Sequence, residues 1–408
     1  MDETKTCVVV GGGPAGLIVG LLLARAGIQV TVLEKHLDFL QDFRGDTVHP
    51  STLELLDQLG LFERFCELPH SRIQEMCVPT AEGGTMQVAD IRRLRVAHPY
   101  VAMVPQWHFL NLLAEAASAE PTFDFIREAE ATELIWDSDR IIGVVYLDRE
   151  GQERRVRAKL TIAADGRNSV IRERAQLNRK SFRVPMDTWW FRVPTEVSIG
   201  ESLLPRGING NVFGVIPREG YAQIAQMIPK GADTRLRKEG VESFRANVAE
   251  SVPELSEAVE SVGLSDVKLL NIEQNRLLRW HRPGLLCIGD SAHAMSPVGG
   301  VGVNLAIQDG VAAATILASH LKSDQVTDRQ LHKVQRRREF PTKVTQWIQR
   351  RMHTMIFHVI RTQRNLAAPS VAKLLFTYFP ALKVWIAKLL TVGVRPESAP
   401  GFARPPSK

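Results

Sequence analysis

Cysteine is scarce in this sequence, which argues against a metal site and against a disulfide framework. The 408 residues contain four cysteines, and none of them forms a Cys-x-x-Cys pair; they are Cys7, Cys66, Cys77 and Cys287. Structural zinc sites and small secreted domains need such clusters. Cys7 and Cys287 lie inside apolar runs typical of buried strands. We therefore expect four reduced thiols, no metal and a cytoplasmic location.

Membrane-spanning, secretory and nucleic-acid-binding patterns are also missing. No run of about 18 apolar residues is present to cross a membrane, and the first residues, MDETKTC, have no positively charged stretch of the kind that opens a secretory signal. Aromatic and basic residues are not interleaved as in proteins that bind single strands. The net charge of +6 is mild. We expect no nucleic acid, and a charge that suits an anionic cofactor or substrate.

What the sequence does contain begins with a dinucleotide-binding pattern at residues 6–16, TCVVVGGGPAG. The apolar run Cys7–Val10 predicts a buried strand. The G-x-G-x-x-G pattern and the start of the next helix follow it, in the residues Gly11, Gly13, Pro14, Ala15 and Gly16. In such a unit the first glycine permits a tight turn, the second lets a pyrophosphate approach the backbone, and the third lets the helix pack on the strand. The helix N-terminus can then bind the phosphates.

An acidic residue stands where a dinucleotide unit binds ribose. The helical pattern stops at Gly27, and QVTVLE then predicts a second parallel strand that ends at Glu34. An acid about 20 residues after the glycines accepts hydrogen bonds from the ribose hydroxyls and disfavours a 2′-phosphate. We therefore expect Glu34, with Lys35 beside it, to bind the adenosine of FAD or NAD rather than that of NADP.

Two later stretches also combine a strand, a polar loop and a helix. In LTIAADGRNSVIRERAQL, residues 160–177, an alternating strand ends in Asp165 and Gly166, and a helix begins near Ser169. In GDSAHAMSPVGGVGVNLAIQDG, residues 289–310, a glycine-rich loop follows the apolar run PGLLCI and leads into a helical pattern. Because glycine costs backbone entropy, a loop with several glycines is expected where the chain turns sharply or approaches a ligand closely.

Taken in order, the three motifs resemble those of the class A flavoprotein monooxygenases, the para-hydroxybenzoate hydroxylase-like family that includes UbiH-type hydroxylases. The resemblance covers about residues 6–320. It implies an α/β fold with a Rossmann-like FAD-binding domain, an interleaved substrate domain with a mixed β-sheet, and C-terminal helices. The implied boundaries are 1–70, 101–177 and 281–325 for the FAD domain, 71–100 and 178–280 for the substrate domain, 326–395 for the helices and 396–408 for a flexible tail.

The resemblance also implies roles for individual residues. Asp165 would lie between the FAD and the nicotinamide donor, and Asp290 would accept hydrogen bonds from the ribityl hydroxyls. The glycine loop would pass against the flavin ring, and the N–H groups of the next helix would face the flavin edge that gains negative charge on reduction. This loop and helix start contain Gly300, Gly302, Val303 and Asn304.

Two other positions match the family, each with an ordinary alternative. Arg44 follows the second strand, where the family has an arginine near the FAD, and its guanidinium suits a pyrophosphate. The alternative is a salt bridge. Gln106 heads the helical stretch QWHFLNLLAEAA and matches a family contact to the cofactor. The alternative is a helix cap.

The reaction that the resemblance implies is oxygen insertion. NADH or NADPH reduces the FAD, and O2 then gives a C4a-hydroperoxyflavin that hydroxylates an electron-rich aromatic or related small molecule. No second G-x-G-x-x-G is present, so the donor would bind transiently. Three histidines could remove a phenolic proton, His49, His108 and His293, although for His293 a structural role is favoured. Pro297 is the better candidate for a catalytic contact, because its position suits a backbone carbonyl that faces the substrate.

Other functions remain open. An FAD-dependent oxidoreductase without oxygen insertion would carry the same motifs, and product mass distinguishes the two. A halogenase is disfavoured because TWWFRVP does not match the pattern W-x-W-x-I-P. A binding protein that has lost catalysis is disfavoured by the intact Gly-Asp loop, and a plain NAD dehydrogenase leaves the two later motifs unexplained.

The predicted substrate domain is rich in strand-like apolar stretches. Its large apolar residues could line a pocket, although packing inside the sheet is favoured for each; they are Trp189, Trp190, Phe191, Phe213 and Met227. Arg183, Arg192 and Arg218 could meet an anionic substrate, with exposed salt bridges as the favoured alternative. The expected partners are a small aromatic substrate and O2, and the protein is either a monomer or a homodimer.

One interpretation of the C-terminal region is that it makes a weak contact with a membrane surface. The stretch KLLFTYFPALKVWIAKLLTVGVRP is apolar, contains lysines, and is interrupted at Pro380. An amphipathic segment of this kind can lie on a membrane. Packing of the segment over the substrate pocket or its own core is the favoured interpretation.

Overall fold

A computed structural model describes residues 4–40, 46–82, 84–197, 205–218 and 220–405. Its strands are β1 (Thr4–Val10), β2 (Val30–Glu34), β3 (Thr47–Val48), β4 (Ser71–Ile73), β5 (Glu75–Thr80), β6 (Gly84–Asp90), β7 (Val101–Met103), β8 (Phe123–Arg127), β9 (Glu130–Asp137), β10 (Arg140–Leu147), β11 (Glu153–Ala163), β12 (Arg179–Phe182), β13 (Met186–Pro194), β14 (Pro205–Ile208), β15 (Asn211–Arg218), β16 (Tyr221–Pro229), β17 (Lys268–Leu270), β18 (Gln274–Leu277), β19 (His281–Arg282) and β20 (Leu285–Cys287). Its α-helices are α1 (Pro14–Arg25), α2 (Pro50–Gln58), α3 (Phe62–Cys66), α4 (Gln106–Ser118), α5 (Val170–Arg174), α6 (Asp233–Lys238), α7 (Val241–Ser251), α8 (Gly302–Lys322), α9 (Asp328–Thr362), α10 (Ser370–Tyr378) and α11 (Ala381–Ala387).

The largest sheet has the strand order β19-β20-β11-β1-β2-β8, and β10 and β9 continue from β11. The central pairs β20-β11, β11-β1, β1-β2 and β2-β8 are parallel. Parallel neighbours need crossover connections, and α1 is the crossover from β1 to β2. The carboxyl ends of β1, β11 and β20 therefore lie at one edge of the sheet, and each of the three motifs begins there. The predicted α/β fold class is confirmed.

The crossover helix α1 is enclosed between the sheet and α8. Its residues from Ala15 to Ala24 are all buried, which explains why the stretch is apolar all round rather than on one face. A glycine on α8 permits the close contact: a Cβ at Gly310 would lie 2.9 Å from the carbonyl oxygen of Ala15. This packing holds the start of α1 against the middle of α8.

A second sheet, with the order β14-β15-β16-β13-β17, belongs to the middle of the chain. Its described pairs are all antiparallel, so mixed pairing is confined to the large sheet. One face packs against α7 through aromatic residues, where Trp189, Phe191 and Phe213 are buried with Phe244. Core packing, the favoured interpretation, describes the positions of Trp189 and Phe191; Phe213 is buried in the same cluster but also lines a cavity. The opposite face is turned toward a cavity.

The C-terminal region, for which helices were predicted over residues 326–395, contains α9, α10 and α11. The long helix α9 begins with a capping box formed by Thr327 and Gln330. In the described part of the chain no single helix is long and apolar enough to cross a membrane, although a bent pair, Val371–Tyr378 with Ala381–Val392, passes that test when taken together.

The prediction of a flexible tail at 396–408 is wrong for residues 396–405. Ala399 and Ala403 are buried. The Ala399 N–H donates to Gln58 Oε1 at 2.7 Å, and Arg25 Nη1 donates to the Ala403 carbonyl at 2.8 Å. The composition of the segment resembles that of a disordered tail, but these contacts attach it to α1 and α2. Residues 406–408 lie outside the described residues.

A buried group of charges joins the third motif to α8, α9 and this tail. Asp309, on α8, is fully buried; it accepts hydrogen bonds from Arg338 Nε at 3.0 Å and from the Gly289 N–H at 3.0 Å, and His293 Nε2 lies 2.5 Å from it. Arg338 Nη1 in turn lies 3.4 Å from Glu397 Oε1. Burial acts to raise the pKa of Asp309, but His293, Arg338 and the Gly289 N–H outweigh it and hold the pKa below its usual value.

Replacing Glu397 by alanine tests this group. Glu397 is buried and also accepts a hydrogen bond from Arg337 Nε at 2.8 Å. Without Glu397, the positive charge of the buried Arg338 loses one of its two carboxylate partners. We therefore expect the free energy of unfolding to fall by about 3 kcal/mol. Equilibrium urea unfolding measures it. Glu82→Ala is the control, because the Glu82–Lys373 pair is exposed and solvent screening should make its loss cost much less than the loss of Glu397. Equal losses in the two variants would contradict the assignment.

Candidate active site

A cavity of about 860 Å³ runs from the glycine motif of α1 to the free face of the antiparallel sheet. Its volume lies within the roughly 300–1,000 Å³ typical of ligand pockets. It brings together most of the residues predicted to bind a cofactor: Gly11, Gly13, Pro14, Ala15, Glu34, Lys35, Gln106, Asp165, Asp290, Gly300, Gly302 and Val303. Pro297 also lines it. Arg44 lies outside the described residues.

Each of the three glycines of the first motif lacks a side chain for a different geometric reason. Gly11 has a φ of +104°, and a Cβ there would lie 2.4 Å from the Ala164 carbonyl oxygen. A Cβ at Gly16, which lies behind the cavity wall, would come within 1.9 Å of the Gly11 carbonyl oxygen. Gly13 precedes α1, and a Cβ there would meet nothing within 4 Å. The space in front of Gly13 and the N–H groups of the first turn of α1 therefore fit a phosphate group.

The Glu34 carboxylate is fixed beside this turn at the end of β2. Its Oε2 accepts a hydrogen bond from the Gly12 N–H at 2.7 Å, and its Oε1 accepts one from the His36 N–H at 3.0 Å. A carboxylate has about four acceptor positions. Glu34 therefore keeps capacity for hydroxyl donors in the cavity that it lines.

Asp165 lines the cavity and also holds the start of α5. Ser169 Oγ donates to Asp165 Oδ1 at 2.6 Å, and the Ile171 N–H donates to Oδ2 at 3.2 Å. Burial raises the pKa of Asp165, although these hydrogen bonds oppose the shift. The buried Arg172 then joins the second motif to the third, because its Nη1 donates to the Ser291 carbonyl at 3.2 Å.

Asp290 follows β20 and faces the cavity from the third motif. Arg167 Nη2 lies 3.6 Å from Asp290 Oδ2, and both side chains are partly exposed and line the cavity. At that distance the arginine attracts the carboxylate electrostatically but does not form a hydrogen bond with it. Asp290 therefore remains able to accept hydrogen bonds from a ligand.

Asn304 acts through its side chain, which the sequence did not indicate. Its Oδ1 accepts hydrogen bonds from the His49 N–H at 2.9 Å and from Thr52 Oγ1 at 2.8 Å. Thr47 Oγ1 donates to the Gly300 carbonyl at 2.6 Å. These bonds fasten the glycine loop and the start of α8 to the segment that contains β3 and α2, so the N-terminus of α8 is held at the cavity.

Of the three histidines considered as bases, only His49 is among the described residues that line the cavity. His293 is held against Asp309 instead, so it is not a base that reaches a substrate, and the structural role is the one its geometry supports. Burial lowers the pKa of His49 to about 4, against an opposing hydrogen bond with the backbone of Thr391. At neutral pH the His49 imidazole is therefore uncharged.

Helix α9 clamps the loop around Pro297, an arrangement that sequence reasoning missed. Gln349 Nε2 donates to the carbonyls of Ser296 at 2.8 Å and Val298 at 2.9 Å, and Gln349 Oε1 accepts from the Ser296 N–H at 3.2 Å. His353 Nε2 lies 2.8 Å from Ser296 Oγ. The only sequence signal is a stripe of polar residues at helical spacing, because Gln346, Gln349 and His353 fall on one face of α9 and are all buried.

The far end of the cavity is largely apolar. Its walls come from the antiparallel sheet, from strands near it and from α9, and include Ile73, Met76, Trp190, Val212, Ile216, Met227, Met352 and Ile356. Of the five predicted pocket residues, Trp190, Phe213 and Met227 thus line the cavity. The Trp190 indole N–H is buried without a partner in the described residues. Arg218 forms a salt bridge with Asp46 at 2.6 Å that is buried, not exposed as expected.

A family model described as FAD binding domain matches residues 3–348. The chain is 32% identical over 383 residues to the 6-methylpretetramide 4-monooxygenase of Streptomyces rimosus, a match that covers 91% of this chain and 89% of the relative. It is 25% identical over 329 residues to the 3-demethoxyubiquinol 3-hydroxylase of Escherichia coli strain K12, covering 78% and 81% of the two chains.

Among solved structures, the flavin-dependent brominase Bmp2 superposes with a TM-score of 0.77 at 17% identity, covering 95% of this chain and 94% of that one. At this identity the likeness concerns the fold alone. The family match covers both the glycine cradle and the third motif, and the resemblance to class A flavoprotein hydroxylases agrees with it. The chain belongs to the FAD binding domain family of flavoproteins.

Proposed function

We propose that this chain is an FAD-dependent monooxygenase that uses NADH or NADPH and O2 to hydroxylate an electron-rich aromatic compound. The observation that carries the proposal is the single cavity that joins a phosphate cradle to an apolar pocket, with the glycine loop between them. The relative at 32% identity is named as a monooxygenase of 6-methylpretetramide, which supports an aromatic substrate.

The cofactor-binding roles follow the order of residues along the cavity. The first turn of α1 with Gly13 holds the pyrophosphate, and Glu34 with Lys35 holds the adenosine. Asp290 accepts hydrogen bonds from the ribityl hydroxyls, and the N-terminus of α8 at Gly302 stabilises negative charge on the adjoining ring edge. Gln106 and Asp165 complete the walls, while Arg44 remains a predicted contact. FAD bound in this way supplies hydride acceptance and oxygen activation.

The chain itself contributes orientation and exclusion of water. The apolar end of the cavity, with Trp190 and Met227 on the sheet, removes water from the reacting region. Gln349 holds the backbone on both sides of Pro297. The Pro297 carbonyl accepts the Gly300 N–H at 2.9 Å, and we assign its second lone pair to the substrate. His49 has too low a pKa to take a phenolic proton effectively, so its neutral ring orients a substrate hydroxyl.

The predicted substrate domain, 71–100 and 178–280, supplies much of the apolar end. Ile73 and Met76 come from its first segment, and Trp190 and Met227 come from its second. The C-terminal helical region also contributes, through Met352 and Ile356. We assign the substrate pocket to all three segments.

Replacing Gly13 by valine tests the phosphate cradle. The added side chain would fill open space in front of α1, so the fold should persist while the pyrophosphate is excluded. We expect the purified variant to retain less than about a tenth of the FAD of the parent protein, measured by flavin absorbance. Gly401→Val is the matched control, because a Cβ there also meets nothing within 4 Å and Gly401 does not line the cavity. Normal FAD content in both variants would refute the cradle.

Oxygen insertion is tested with isotopic O2. Under ¹⁸O2, with NADH or NADPH and 6-methylpretetramide as the aromatic probe, we expect a product that has gained one oxygen-18 atom. Mass spectrometry of the product measures it. Oxidation of the donor with the probe converted but without isotope incorporation would instead favour an oxidoreductase that does not insert oxygen.

Replacing Gln349 by leucine tests the loop clamp. Leucine keeps the volume of the side chain but removes three hydrogen bonds to the backbone of Ser296 and Val298. Because a loosened loop admits water, we expect the fraction of donor electrons lost to H2O2 to rise by roughly threefold or more, with FAD content unchanged. The control is Gln325→Leu, at an exposed position before α9. The same rise in both variants would show that Gln349 has no special part in positioning the loop.

A further inference from the structure

The charge of the C-terminal region is one-sided. Residues 340–396 contain nine of the 51 lysines and arginines of the chain and none of its 45 aspartates and glutamates. The net charge of the whole chain is +6, so the remainder is net negative. The excess positive charge of the sequence therefore falls in this region, where two of the cations pair with acids from outside it, Lys373 with Glu82 and Lys343 with Glu339.

The same region exposes an apolar face, which consists of Val371, Leu374, Leu375, Tyr378, Phe379 and Trp385. Val371 is 73% exposed and Leu374 58% exposed. The four residues on α10 recur at helical spacing and lie on one side of it. A contiguous exposed apolar surface on a folded protein marks an interaction site. Because α10 and α11 enclose a bend of 100° at Pro380, each helix is too short to span a bilayer but can lie along one.

The apolar face adjoins the substrate end of the cavity. Met355 lines the cavity and is 70% exposed, so the cavity reaches the surface at α9. Leu366 also lines it, and Ala368, two residues further, bridges to Thr80 of β5 just before α10 begins. The opening and the apolar face thus lie in adjoining segments of the region that contains these cations, and we call them together the C-terminal surface.

We propose that this surface docks on an anionic lipid bilayer, and that an apolar substrate enters the cavity from the lipid at Met355. The second clause rests on the proposed monooxygenase function; the first does not. Lysines and arginines are attracted by anionic headgroups while the apolar face enters the acyl boundary. A second copy of the chain is a poorer occupant, because two surfaces of the same positive charge repel each other.

Vesicle co-sedimentation of the FAD-loaded protein tests the docking. The probes are vesicles of phosphatidylcholine alone and of phosphatidylcholine with phosphatidylglycerol. We expect binding to the anionic vesicles that weakens as salt is added, and little binding to the neutral ones. Leu374→Asp should weaken binding about tenfold or more, because it places a carboxylate in the apolar face. Leu278→Asp is the control, since Leu278 is 63% exposed on another part of the surface.

Three outcomes would overturn the docking proposal. One is the absence of binding to anionic vesicles, and another is equal loss of binding in the two aspartate variants. The third is a dimer in light scattering that Leu374→Asp dissociates, because a second copy would then cover the face. Vesicle binding is read without turnover, so a failure of the hydroxylation assay with normal vesicle binding would count against the proposed function alone.

Discussion

The buried carboxylate of Asp309 is the interaction on which the arrangement of the site depends. A fully buried charge is costly unless it is paired and hydrogen-bonded, and here three partners come from two separate parts of the chain. Gly289 and His293 belong to the third motif, and Arg338 belongs to α9. The need to satisfy one carboxylate thus holds the loop after β20 against two helices. Because that loop carries Asp290 toward the cavity, the position of the proposed cofactor contact depends on a charge that never touches the cofactor.

A second set of polar contacts fixes the same loop at positions after Asp290. Gln349 grips the backbone on both sides of Pro297, and Asn304 ties the start of α8 to α2. Each of these side chains lies behind the cavity wall rather than in it. The glycines at 299, 300 and 302 have no side chains to pack, so the conformation of that part of the loop depends on these neighbours. A flexible backbone held by rigid surroundings suits a site that must approach a planar ring closely.

The parts of the site that the sequence predicted are those whose physical reason is local. Gly11 and Gly16 can be read from a pattern because a turn of a few residues requires them, and Glu34 follows because the length of a strand–helix–strand unit places it. Gln349 and Asp309 could not be identified in this way, since their partners lie 53 and 29 residues away and depend on how helices pack. The segment at 396–405 was misjudged for a related reason. Its proline and serine content suggests disorder, but contacts with Gln58 and Arg25 order it, and those contacts appear only in the folded chain.

The attachment of residues 397–403 to the first part of the chain has a consequence for biosynthesis. Ribosomes release a chain from its N-terminus, and early segments usually begin to fold before later ones emerge. Here Arg25 of α1 and Arg338 of α9 obtain partners from Ala403 and Glu397. The dinucleotide-binding unit can form its strands and helix early, but its last native contacts must wait until that segment has left the exit tunnel. Folding of this protein therefore finishes after translation has passed residue 403, and until then Arg25 lacks its Ala403 contact and Gln58 lacks its Ala399 contact.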